Sequence, residues 1–149
     1  MKISKYNNEA YYDPTPYEAF TNIEAERRAV QPPPSATRAY RPIVFICSPY
    51  TSDPVRNELR AIRYCRFAVC QGYIPIAPHI YFTRFLDDGS PDERELGLFM
   101  GQVMLTKCVE LWVFGSRITS GMEREIAKAK QRDMPIRYFD EDMEEHTNG

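Results

Sequence analysis

The stretch of this chain best suited to chemistry lies between residues 111 and 129. An apolar run, Leu111 to Phe114, breaks at Gly115 and passes through S-R-I-T-S into G-M-E-R-E-I-A-K-A, which sets the carboxylate of Glu125 four residues after Gly121. A helix is expected to start near Ser120, so Glu125 falls in its first turns. Amides at a helix start have no intrahelical acceptor and face the crevice at the end of the preceding strand. A glutamate held there, partly stripped of water, can attack an anomeric carbon to give a covalent glycosyl-enzyme that water or another acceptor resolves. That chemistry needs no metal and no cofactor. The competing reading makes Glu125 a solvent-facing helix residue like its neighbour Glu123.

A second loop supplies partners. I-V-F-I-C (Ile43 to Cys47) ends in S-P-Y-T-S, placing Ser48, Pro49 and Tyr50 at a strand end. The Tyr50 hydroxyl suits positioning of a nucleophile or a sugar, although one of ten tyrosines can equally serve packing. Asn57 suits ligand binding or local hydrogen bonding. His79, flanked by Pro78 and aromatic residues, suits a base or phosphate contact or a structural hydrogen bond. Arg117 suits bidentate contact with a phosphate group, with a surface ion pair as the alternative. Asp88 in the long loop, together with Ser120, Gly121 and Met122 at the helix start, completes the candidate substrate-binding set.

Regular elements must hold these residues in place. Ile43 to Cys47 is a short, continuous apolar run rich in β-branched residues, the pattern of a buried parallel strand. Leu59, Ile62, Phe67 and Val69 mark a helix from about 55 to 71, with Gly72 where a C-terminal cap is wanted. Tyr73 to Pro78 reads as a second strand, and Pro75 consigns it to an edge. His79 to Pro91 reads as a long polar and aromatic loop. Ser90 or Asp92 caps a helix reaching Lys107, with Leu96, Phe99, Met100, Val103, Met104 and Cys108 along one side. The strand Leu111 to Phe114, a helix from about Ser120 to Gln131 and the strand Pro135 to Phe139 follow.

This alternation predicts an α/β fold, a flavodoxin- or Rossmann-like three-layer sandwich with a short parallel sheet in the order 2-1-3-4. The loops after the first and third strands then open into one crevice at the topological switch. Residues 43–139 form the domain. Residues 1–42 read as an arm with a helix over Pro16 to Val30 and a linker at Pro32 to Pro34, and residues 140–149 as an acidic, solvated tail.

Composition removes several function classes. The formal net charge is −2 and the cations are dispersed, so the electrostatic footprint of a nucleic-acid binder is missing. The four cysteines form no C-x-x-C pair and only two histidines are present, so no metal site is expected and reduced thiols in a cytoplasmic protein are the reading. No apolar stretch approaches the ~20 residues that span a bilayer, and no membrane association is expected. G-x-G-x-x-G, the P-loop pattern and G-x-S-x-G are all missing.

At F-I-C-S-P-Y-T and G-M-E-R-E-I-A-K-A the chain resembles the nucleoside 2-deoxyribosyltransferases and their 2'-deoxynucleoside 5'-phosphate N-hydrolase relatives, notably a phage and bacterial branch carried as a domain of unknown function. The family pattern G-x-x-x-E-[IL]-G-x-A aligns its glycine with Gly121 and its nucleophile with Glu125 over a resemblance spanning residues 43–139. It implies retaining transfer or hydrolysis at the N-glycosidic bond of a nucleoside or nucleotide, no cofactor, and a homo-oligomer whose sites neighbouring subunits complete. The chain departs from the pattern where family acids are replaced by Cys108-Val109 and by Gly101, and where the aspartate before the glycine gives way to Ser116, Arg117, Thr119 and Ser120. Asp87, Asp88 and Glu93 are the acids left to protonate a leaving base. A non-catalytic nucleotide-binding or sensing module using the same crevice is the alternative function. An interaction protein working through its proline-containing arm is a third.

Overall fold

The computed structural model describes residues 39–147; the expected arm helix and the proline run lie outside the described residues. Strand β1 (Ile43–Cys47) leads to helix α1 (Pro54–Cys70), strand β2 (Ile74–Ile76) and a short helix α2 (Pro78–Tyr81) followed by a 3-10 turn (Phe82–Arg84). Helix α3 (Pro91–Leu105), strand β3 (Glu110–Phe114), helix α4 (Ser120–Gln131), strand β4 (Ile136–Phe139) and strand β5 (Glu145–His146) complete the order. The sheet runs β2-β1-β3-β4-β5. Its first four strands are parallel, in the expected order 2-1-3-4, and β5 adds antiparallel to β4. Register aligns Cys47 with Val113, so β1 and β3 end together and their loops leave from one edge.

Period-two alternation divides the core. Val44 and Ile46 face α1, packing with Tyr64, Ala68, Trp112, Phe114 and Phe139. Phe45 and Cys47 face the other way, among Leu105, Cys108, Leu111, Val113, Met122 and Ala129, toward α3 and α4. Helices on both faces of the sheet make the three-layer sandwich.

The helix ends follow local chemistry. Asp53 caps α1 ahead of Pro54, its carboxylate accepting from Arg56 N at 3.4 Å, and Gly72 takes the left-handed φ of 91° just past the helix. Ser90 caps α3 through Glu93 N at 3.5 Å, again ahead of a proline.

Three expectations are corrected. The segment 79–91, read as a loop, opens with α2 and the 3-10 turn. The apolar stripe expected on α3 turns inward only in part: Leu96, Phe99 and Val103 are exposed, Phe99 by 63%, Met100 and Met104 are half-buried, and Cys108, past the helix end, joins the core with Gly101 and Leu105. Gly101 and Leu105 make the innermost contact of the helix, and the bulky Leu96, Phe99 and Val103 lie on its outer side. The acidic segment is exposed, yet it is more than a tail. Tyr138 pairs with His146, and Arg137 donates two hydrogen bonds of 2.8 Å to the carboxylate of Glu145.

Candidate active site

Beyond the carboxyl ends of β1 and β3 lies a cavity of about 170 Å³. The β1 loop contributes Ser48, Tyr50 and Thr51; α2 and the 3-10 turn contribute His79 and Phe82; α3 contributes Glu93, Arg94 and Gln102; and the start of α4 contributes Ser120, Gly121, Met122 and Glu125. Asp88 reaches it from the loop before α3. Of the candidate residues, the structure thus brings Glu125, Tyr50, Ser48, His79, Asp88, Ser120, Gly121 and Met122 to one cavity.

Three others stand apart. Pro49 and Asn57 line a separate hollow of about 20 Å³ with Arg60, Tyr64 and Glu141. Asn57 is buried and donates from Nδ2 to Tyr50 O and Ser52 Oγ, both at 3.0 Å, so its role is the local one: it fastens the loop that presents Tyr50. Arg117 is exposed and lines neither cavity, so it does not stand at the site. The guanidinium at the α4 end is instead that of Arg124, because helical side chains lean back toward the N-terminus.

Thr119 caps α4, its Oγ1 accepting from Met122 N at 3.3 Å and its carbonyl from Glu123 N at 2.9 Å. The amides of Ser120 and Gly121 have no hydrogen-bond partner among the described residues. One turn on, burial pushes the Glu125 carboxyl up to about 7, and a hydrogen bond with Cys47 works in the opposite sense. Its Oε2 is buried and accepts no hydrogen bond. The Cys47 thiol is itself raised well above its ordinary value, by burial first and the nearby Glu125 charge second. It stays protonated at neutral pH.

His79 is lowered to about 4 by burial, so its ring is neutral at pH 7. Ser48 Oγ lies 3.3 Å from its Nε2, and the Tyr50 ring packs against it with centroids 5.6 Å apart. Thr83 Oγ1 donates to the His79 carbonyl at 2.9 Å, tying the turn to α2. Of the three acids expected near the site, Asp88 and Glu93 line the cavity. Asp87 does not, and its Oδ1 accepts from Gly89 N at 2.9 Å instead.

Sequence reasoning missed Phe45, Arg94, Gln102, Arg124 and the glycines 97 and 101 of α3. The glycines carried a signal: four residues apart on one helix, they clear a strip of the cavity wall. A Cβ at Gly97 would sit 3.3 Å from Leu86 Cδ1.

The assembled site offers one buried carboxyl with an uncommitted oxygen, a neutral imidazole, several hydroxyls, and apolar walls from Phe45, Phe82, Leu86 and Leu98. It suits a ligand with a flat apolar part and a hydroxylated part. Among the described residues no group of three or more His, Cys, Asp or Glu could hold a metal ion, and no helix is long and apolar enough to cross a membrane.

Residues 42–139 match the family described as a domain of unknown function (DUF7768), and the chain belongs to that family. No curated protein matches the chain.

Proposed function

We propose that this family member is a deoxyribosyltransferase-like enzyme that cleaves or exchanges the N-glycosidic bond of a nucleoside or nucleotide, with Glu125 as nucleophile. The observation that carries the reading is the buried Glu125 carboxyl, lining the cavity with Oε2 free of hydrogen bonds. A carboxylate attacks C1' of the deoxyribosyl group, the C1'–N bond breaks, and its electron pair leaves on the base, which takes a proton from Asp88 or Glu93. Water or a second base then attacks C1' from the side the first base left, gives its proton to the same acid and frees the Glu125 carboxylate, so configuration is retained. Tyr50 and Ser48 orient the sugar, and the aromatic and leucine walls receive the base.

With the Glu125 carboxyl at about 7, activity should rise with pH through neutrality as the nucleophile ionises. The buried thiols of Cys47 and Cys108 accord with a reducing, cytoplasmic setting. The exposed Leu96, Phe99 and Val103 on α3, whose other face lines the cavity, accord with a homo-oligomer.

A nucleotide-sensing module is the second reading. It is favoured by Cys108, which packs in the core, and Gly101, both standing where the resembling enzymes carry acids. Incubation with deoxynucleosides and their 5'-monophosphates plus a free acceptor base separates the two. The enzyme releases or exchanges base, and Glu125→Gln loses on the order of a thousandfold or more in kcat/KM. Ligand binding with no base release, unchanged in Glu125→Gln, supports the sensor and ends the nucleophile assignment.

A further inference from the structure

Between Gly115, just after β3, and Thr119, which caps α4, residues 116–118 carry the chain to the helix that bears Glu125. Gly115 takes a left-handed φ of 103° and donates to the Phe139 carbonyl at 2.9 Å, so the chain leaves the sheet at a fixed point. Beyond it, one side chain holds the loop. Ser116 donates from N at 2.9 Å and from Oγ at 2.8 Å to Oε1 of Glu141. Residues 116–118 make no other hydrogen bond among the described residues.

Glu141 stands in the turn between β4 and β5, just past the residues that match the family, 42–139. That turn is itself fixed. Asp140 Oδ1 accepts from Asp142 N at 2.9 Å and Glu144 N at 3.0 Å, Asp140 N donates to the Glu144 carbonyl at 3.0 Å, and the Arg137–Glu145 pair pins the turn to the sheet. The Glu141 carboxylate is exposed, and the bonds from Ser116, the backbone one first, hold it below its ordinary value, so it is ionised at neutral pH. It also borders the small hollow it shares with Pro49, Asn57 and Arg60. A Cβ at Gly115 would lie 3.7 Å from Glu141 Oε1 and 3.8 Å from Pro49 Cδ, so this glycine is held between the acidic turn and the β1 loop.

We propose that Glu141 is a positioning residue of the active site: as the hydrogen-bonded anchor of residues 116–118 it fixes where α4 begins, and through α4 it holds Glu125 in the cavity wall. The inference rests on the reading of Glu125 as the reactive group, but its geometry can be tested without a substrate. Glu141 lines the small hollow and not the main cavity, so it acts on the site only through the loop. The loop needs an acceptor there rather than a charge. One oxygen takes both bonds, so an amide oxygen can replace it and a methyl group cannot. Without that anchor Thr119 still caps α4, and the helix moves as a body. Water then reaches Glu125, and part of the burial that raises its carboxyl to about 7 is lost.

The test is an NMR comparison of the full chain, labelled with nitrogen-15 at the amides and carbon-13 at glutamate Cδ, in wild type, Glu141→Ala and Glu141→Gln. The Glu125 resonance is assigned by its loss in Glu125→Gln. In Glu141→Ala the Ser116 amide should exchange about tenfold faster and Glu125 should bind its proton about three- to tenfold less tightly, while Glu141→Gln keeps both near wild type. Glu125 titrating alike in wild type and Glu141→Ala overturns the proposal. An equal shift in both variants overturns it too, because it reports only the lost charge. Thermal melting of both variants verifies that the titrated species is folded. If the titrations separate as expected while wild type releases no base from any deoxynucleoside or deoxynucleotide, Glu141 still positions Glu125 and it is the proposed reaction that fails. In an active enzyme, Glu141→Ala should lower kcat about three- to tenfold with KM little changed, and Glu141→Gln should restore it. Base release that depends on Glu125 but runs at the wild-type kcat in Glu141→Ala leaves the reaction standing and overturns the role of Glu141.

Discussion

The two faces of the sheet are built on different plans. Against α1 the packing is aromatic and closed: Phe114 stacks between Tyr64 and Phe139 at centroid distances of 4.2 and 4.9 Å, and Trp112 sits beneath Phe67 and Tyr73. Trp112 Nε1 donates to Glu110 Oε2 at 2.6 Å, and Arg137 lies 4.8 Å over its ring. Against α3 and α4 the buried side chains, Phe45 apart, are aliphatic, sulfur-bearing or small, and the packing stops short to leave a cavity whose wall carries a buried acid. One face supplies stability and the other accommodates a group that burial disfavours in its charged form.

If that division is real, Phe114→Ala should destabilise the fold by about 3–5 kcal/mol, read by chemical denaturation, because it removes the middle of a three-ring stack. Ligand affinity of the folded protein should stay near wild type, since Phe114 faces away from the cavity. A large loss of affinity at unchanged stability would break the comparison.

The site face should show the opposite behaviour in its pH dependence. Glu125 is raised from 4.5 to about 7, so its contribution to stability is fully present below 4.5 and lost as pH rises through 7. His79 is lowered from 6.5 to about 4, so its contribution is present above 6.5 and lost as pH falls through 4. Each amounts to about 3 kcal/mol over its window, and between 4.5 and 6.5 the two slopes oppose and nearly cancel. Glu125→Gln removes one of them. Its stability should climb with pH from 4 to 6.5 and exceed wild type at pH 8, as denaturant midpoints across pH will show. Parallel curves for the two proteins would mean that Glu125 is not buried as described.

The difference between the faces also explains what the sequence disclosed. Continuous apolar runs at Ile43 to Cys47 and Leu111 to Phe114, and Gly72 after its helix, are local signals, and the strand order with its shared crevice followed from them. Helix α2 escaped notice because Ala77, at its N-cap, makes no side-chain cap bond, so the usual polar start signal is missing. Strand β5 is two residues long and depends on a turn in which Asp140 Oδ1 accepts from Asp142 N and Glu144 N, too brief for any periodicity to register. On the site face, the loops that carry Tyr50 and Glu125 were readable from their spacing. The burial of Glu125 was not, because it arises where elements distant in the chain close around one cavity, and no local pattern carries that. Arg117 was misjudged for a related reason: proximity in sequence to a helix start does not say which guanidinium leans back over it, and here Arg124 does.

The central claim is that the Glu125 carboxylate forms a bond to a sugar carbon. Acid-quenched reactions of the full chain with deoxynucleosides and deoxynucleotides, digested and analysed by mass spectrometry, test it directly. A deoxyribosyl or deoxyribosyl-phosphate adduct on the peptide containing Glu125, missing from Glu125→Gln, is the predicted result; base release that continues undiminished in Glu125→Gln, or an adduct on any other residue, would contradict it.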